Sequence, residues 1–188
     1  MTSPLFTDAM QQDFADLAIA AVAEGAGDTA EIAAIAGQVT PGDDESFFRA
    51  WTTAADAIVA EAGGLDRDAG RSAFLRAATY YSVAWHPFFG PTVNDHLAEA
   101  FAKETQALAQ AAARFDPPLE AVTIPFADHP MPGWFMPAAG HPAGTRRPLL
   151  VCTNGYDGSL SSMVVHIALA ASARGYHCLL FDGPGQGS

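Results

Sequence analysis

Basic residues are scarce: the chain carries 9 Lys and Arg against 21 Asp and Glu, a formal net charge of −12, and the first basic side chain is Arg49. Such a surface repels a phosphate backbone and gains nothing from an anionic bilayer, which excludes nucleic-acid binding and membrane-surface attachment as expected functions. A secretory leader needs a basic start, and Met1–Gln11 has none. No apolar run approaches the ~18 residues needed to span a bilayer; the longest, around Ile167–Ala173, is short and Ala-rich. Cysteine is nearly absent. Cys152 and Cys178 lie inside separate apolar runs, which reads as two buried thiols in a reducing cytoplasm, with no disulfide, metal site or cofactor expected.

What is present divides near residue 118, at Asp116-Pro117-Pro118. Upstream, the chain is Ala-rich with helical periodicity. Ser3-Pro4 is a helix-start signal, and Asp43-Asp44-Glu45-Ser46 is another. After the second, Phe47, Phe48, Trp51, Ala55, Ile58 and Val59 recur at helical spacing until Gly63-Gly64. A third helix is predicted from Asp68 to about Phe88, with Phe74, Ala78, Tyr81 and Trp85 on one face. A fourth follows Pro91, striped by Val93, Leu97, Phe101, Leu108 and Phe115. Each has one apolar face to bury, so the helices need one another.

From Leu119 the period shortens. Ala121–Ala127 and Gly133–Pro137 read as two strands joined by a turn. Pro148–Thr153 and His177–Asp182 are continuous apolar runs, the pattern of strands buried on both faces, with a helix expected over Leu160–Ala173 between them. Strand, helix and strand with short connections predict a βαβ unit with parallel strands. The fold class is therefore α/β: a helical segment over 1–118, then a sheet of about four strands over 119–188.

Ligand sites in such folds gather in the loops at the carboxyl ends of the strands. Two loops qualify, Asn154-Gly155-Tyr156-Asp157-Gly158-Ser159 and Asp182-Gly183-Pro184-Gly185-Gln186-Gly187. The first also reads as a plain turn capped by Asp157 or Ser159. The six histidines show no metal-type spacing and read as structural or surface residues. Tyr80, Tyr81, Trp85 and His86 read as core more readily than as pocket lining.

The paired loops resemble those of the α/β-hydrolases. Asn154-Gly155 is similar to the oxyanion loop after strand three, and Asp182 to Gly187 to the D-x-x-G-x-G turn after strand four. Arg71–Tyr81 (RSAFLRAATYY), Phe47–Trp51 (FFRAW), Phe115–Leu119 (FDPPL) and Pro132–Phe135 (PGWF) extend the likeness from about Asp43 onward. They resemble the branch typified by dihydroxypseudooxynicotine hydrolase and FrsA-like esterases. That resemblance implies a helical cap and a Ser-Asp-His hydrolase acting on an ester, or a carbonyl-activated C–C bond, of a small organic molecule. It implies the Tyr156 amide as oxyanion donor, with Asp157 second. Asn154, Gly155, Gly158, Asp182, Gly185 and Gly187 then shape the two loops.

No Gly-x-Ser-x-Gly nucleophile elbow occurs in these residues, and Ser188 belongs to the Gly-rich turn. The expectation is a chain that stops before its nucleophile, acid and base, with no catalytic residue assignable. His177–Asp182 is then expected to lie exposed, lacking a fifth strand beside it. Two other readings stay open. The βαβ unit with Asp182 also outlines a dinucleotide-binding oxidoreductase, although Asn154–Ser159 is not G-x-G-x-x-G. The helical segment could alternatively be a non-catalytic interaction module, with a homodimer allowed.

Overall fold

A computed structural model describes residues 4–142 and 144–186. Five helices come first: α1 (Ala9–Ala21), α2 (Thr29–Ala36), α3 (Asp44–Ala62), α4 (Arg67–Trp85) and α5 (Asp95–Ala112). Their starts have a common chemical cause. Asp8, Asp28, Asp43, Asp66 and Asn94 each accept hydrogen bonds from amides of the first turn, satisfying donors that a helix cannot pair internally. The first helix therefore begins after Asp8, and Ser3, the expected cap, lies outside the described residues. Helix α2 follows its own Asp28 cap, in a stretch for which no separate helix was expected.

Helix α4 is the centre of the segment. From Ala73 to Trp85 all but Arg76 are buried, because α3 and α5 flank it and α1 and the sheet-side helix close the rest. Trp51, Phe47, Tyr80 and Phe6 pack ring against ring in its core. A second cluster runs from Phe74 and Leu108 on the helices to Met136, Val164 and Leu180 on the sheet side. The helices and the sheet thus share apolar packing. Val93, expected in the α5 stripe, precedes that helix and is exposed.

The sheet comprises β1 (Glu120–Ile124), β2 (Met131–Met136), β3 (Leu149–Thr153) and β4 (His177–Phe181), in the order β1-β2-β4-β3. β1 and β2 form an antiparallel hairpin; β4 pairs antiparallel with β2 and parallel with β3. The crossover between β3 and β4 is helical throughout Leu160–Ala173, as α6 (Leu160–Met163), a wider π turn (Val164–Ala168) and α7 (Leu169–Ala173). Two expectations are corrected here. β4 is not an open strand, since β2 and β3 flank it; the edge on that side of the sheet is β3, with β1 at the other. Nor is β3 buried on both faces: Leu149, Leu150 and Val151 are exposed, and in β4 only Cys178 and Leu180 are buried. An apolar run states that a strand needs cover, not which neighbour supplies it. Both cysteines are free thiols, Cys178 buried and Cys152 half-buried on the less covered strand.

Gly133 is where β2 squeezes between its neighbours. A Cβ there would stand 2.5 Å from the Leu180 carbonyl oxygen and 3.0 Å from Val122. The obstacle is backbone and cannot rotate away. Gly133→Ala is expected to destabilise the chain by about 1–3 kcal/mol, seen as an earlier thermal transition. An unchanged melting temperature would mean that β2 and β4 are not in this register.

Candidate functional site

Because β3 and β4 run parallel, their carboxyl ends open on the same side, and the two predicted loops meet there. Asn154 Nδ2 donates to Asp182 Oδ1 at 2.5 Å, and Asp182 is buried. Gln186 ties the loops a second time. Its Nε2 donates to the Asn154 and Gly155 carbonyls at 2.6 and 2.9 Å, while its Oε1 accepts from the Gly183 amide at 2.6 Å. Sequence reasoning passes over Gln186, because a polar residue in a Gly-rich turn gives no sign of which way it bonds. Gly185 lies in the left-handed region, φ +81°, which explains glycine there; Gly187 lies outside the described residues.

The tight glycine of the first loop is Gly158, not Gly155. At Gly155 an added Cβ would meet nothing nearer than Asp157 Oδ1 at 3.9 Å, whereas at Gly158 it would sit 2.8 Å from Asn154 Oδ1. The loop closes on Ser159, the N-cap of α6, in a reciprocal capping box with Ser162. Among the described residues, no acceptor is bonded to the backbone amide of Tyr156 or Asp157. The Tyr156 side chain is 76% exposed, its ring 5.6 Å from that of Phe89.

Three cavities border this loop, one of them, of about 250 Å³, lined by Glu104, Ser159, Ser161 and Asp182. A second, of about 430 Å³, is walled by Trp85, Phe89, Val93 and Phe101 from the helical segment and by Gly158, Gly185 and Gln186 from the loops. Its size falls in the range of small-molecule sites, and its wall is apolar with a polar floor. Another, of about 290 Å³, has Ser82, His86, Asp157, Ser161 and His166 around it. Tyr80 and Tyr81 are core, as expected, but Trp85 and His86, though buried or nearly so, each line a cavity. Burial lowers the His86 pKa, and the hydrogen bond to the Ser82 carbonyl, then the Asp157 charge, pull it partly back.

Two other histidines serve locally. His177 accepts from the Ala138 amide through Nδ1 and holds the Thr145 carbonyl through Nε2, while His96 pairs with Glu45. Among the described residues no three His, Cys, Asp or Glu side chains are grouped to hold a metal ion, and no helix is long and apolar enough to cross a membrane.

A residue not anticipated from the sequence is Glu104 of α5, 2% exposed. It accepts hydrogen bonds from Trp85 Nε1 at 2.6 Å and from the Ser159 and Ser161 hydroxyls. Burial pushes its carboxyl up to about 7, against the opposing pull of those three donors.

Comparison with known proteins places this architecture. No family model matches the chain. It is 30% identical over 158 residues to the 20-hydroxy-prefusarin hydrolase FUS2 of Gibberella moniliformis, covering 81% of this chain and 38% of that protein. Hydrolase ORFZ of Pyricularia oryzae is 32% identical over 176 residues (87% and 41%), and the α/β hydrolase ucsC of an Acremonium species 28% over 179 (87% and 36%). Among solved structures, the 2,6-dihydroxy-pseudo-oxynicotine hydrolase superposes with a TM-score of 0.69 at 19% identity, covering 89% of this chain and 46% of that one. AbyA5 does so at 0.60 and 20%, covering 93% and 46%. The chain thus spans about two fifths of the length of these curated relatives. Over that stretch it has an α/β-hydrolase-like fold and is related to proteins named as hydrolases.

Proposed function

We propose that residues 1–188 are the N-terminal part of a serine-type α/β-hydrolase acting on an ester, or a carbonyl-activated C–C bond, of a small organic molecule. In this reading residues 1–118 are the cap and 119–188 the opening of the catalytic core. The nucleophile, acid and histidine base lie beyond Ser188. The observation that carries the reading is the 154–159 loop. It is pinned at its first residue by Asp182 and Gln186 and closed at its last by the α6 cap, and among the described residues no acceptor is bonded to its Tyr156 and Asp157 amides. Fixed, unpaired amides at the end of a parallel strand are what a developing oxyanion requires, and each such donor contributes about 3–4 kcal/mol to the transition state. The apolar wall of Trp85, Phe89, Val93 and Phe101 suits a substrate with an apolar body.

A dinucleotide site fits less well. The acidic residue that would hold a ribose, Asp182, is 1% exposed and bonded inward to Asn154.

The loop's role is tested in a protein extended to the length of its relatives. Gly158→Ala should push Asn154 off Asp182 and lower kcat by roughly tenfold to a hundredfold with little change in KM, because a misplaced oxyanion donor is felt in the transition state. Gly155→Ala, which has room, should stay within about threefold of the parent. Equal kcat for the two variants and the parent would remove the loop from the reaction.

A further inference from the structure

Glu104 and Asp182 are the buried carboxyls among the described residues, and they hold opposite ends of one loop. Asp182 takes Asn154, the first residue. Glu104 takes Ser159, the last, together with Ser161 in the first turn of α6. Glu104 comes from α5, 55 residues away in sequence, and its other oxygen is held by Trp85 from α4. One carboxyl therefore joins the two principal helices of the helical segment to the end of the loop. Among the described residues no cation pairs with it: its side-chain partners are an indole N–H and two hydroxyls. Burying a carboxylate on such terms costs more than a well-packed apolar residue would, so stability alone is a poor reason for glutamate here.

We propose that Glu104 is the positioning residue of the 154–159 loop, a latch from the helical segment that holds Ser159 and Ser161 while protonated and releases them on ionisation. In the protonated form every partner is still met. The Trp85 indole only donates and keeps Oε2, while a serine hydroxyl can rotate to accept the carboxyl proton. Ionisation places a charge on a carboxyl that is 2% exposed, at the wall of a cavity of about 250 Å³ shared with Ser159, Ser161 and Asp182. The relief nearest to hand is opening at the Ser159–Ser161 side, which lets water reach the carboxylate. The surrounding elements carry titratable groups, among them His86 on α4, Lys103 on α5 itself, Asp157 in the loop, His166 in the π turn and Asp182 after β4, and burial favours the neutral form of both histidines. Of these it is Asp182 whose charge bears on Glu104, and it favours the protonated form. That the loop so positioned serves an oxyanion rests on the hydrolase reading; the latch itself does not.

Hydrogen exchange of the 188-residue chain tests this without turnover. After correction for the intrinsic chemical rate, the amides of residues 155–162 should open more readily as pH rises. The change should be up to about tenfold per pH unit between roughly 5 and 7, and flat above, because the open form holds one proton fewer across that window. Glu104→Gln, which cannot ionise, should abolish the dependence. Ser161→Ala, which takes a donor from the ionised form, should carry the rise to higher pH. Exchange in 155–162 that is flat with pH while that of β4 rises would overturn the proposal, leaving Glu104 a support of the fold alone. The same pH dependence in the parent and Glu104→Gln would overturn it as well. Neither result bears on whether the extended protein is a hydrolase.

Discussion

Residues 1–188 alone should leave p-nitrophenyl esters unhydrolysed, whereas the protein extended to the length of its relatives should turn them over. The expected gap is on the order of 10⁶ in kcat, the loss seen when a whole nucleophilic triad is removed. The physical reason is the inventory of the chain. Ser159 and Ser161 are buried in bonds to Glu104, and Ser172 is buried in a bond to the Pro137 carbonyl. His177 is spent on Ala138 and Thr145, and His86 on the Ser82 carbonyl. No serine among them is paired with a histidine. The exposed β3 edge, with Leu149 and Val151 uncovered, should also make the isolated chain prone to pair with other chains at high concentration. Comparing initial rates for the two lengths at equal concentration decides the matter. Esterase turnover by the 188-residue chain, abolished by a serine-directed phosphonate, would overturn the assignment.

The second large effect is on stability against pH. The Glu104 carboxyl has an ordinary value of 4.5 and is raised to about 7 in the fold. A raised carboxyl binds its proton more tightly folded than unfolded. Its contribution is therefore fully present below about 4.5 and is lost as pH climbs through 7. The size is about 3.5 kcal/mol at most, since each tenfold gain in proton affinity is worth about 1.4 kcal/mol. Glu104→Gln removes this titration and leaves every other group in place. Urea unfolding of the two proteins should give similar midpoints near pH 5 and a gap that moves in the variant's favour by pH 8. Parallel curves across that range would show that Glu104 does not titrate as the buried group described here.

Much of the fold was legible because local chemistry states it. Asp43 before Phe47 and Phe48, and the Gly63-Gly64 exit, mark α3 within a residue. The βαβ unit follows from two apolar runs a helix apart. Strand order was not legible: β4 lies between β2 and β3, and an apolar run looks the same at an edge as at a centre. Helix α2 hid in an Ala-rich stretch whose faces differ little, although Asp28 carried its start signal. The 154–159 loop was visible as glycines after a strand, yet the crowding falls at Gly158 because Asn154 folds back over it, a tertiary fact. Glu104 left one trace: it falls in register with Leu97, Phe101 and Leu108, a charge on an apolar stripe. Such a position signals a buried carboxyl awaiting partners, and its partners came from α4 and α6.

The most direct test of the central claim is a crystal structure of the extended protein carrying a phosphonate on its nucleophile. The phosphonyl oxygen should lie about 2.7–3.1 Å from the Tyr156 amide, or failing that the Asp157 amide, with Asn154 still bonded to Asp182. A phosphonyl oxygen held by donors from outside residues 154–159 would contradict that claim.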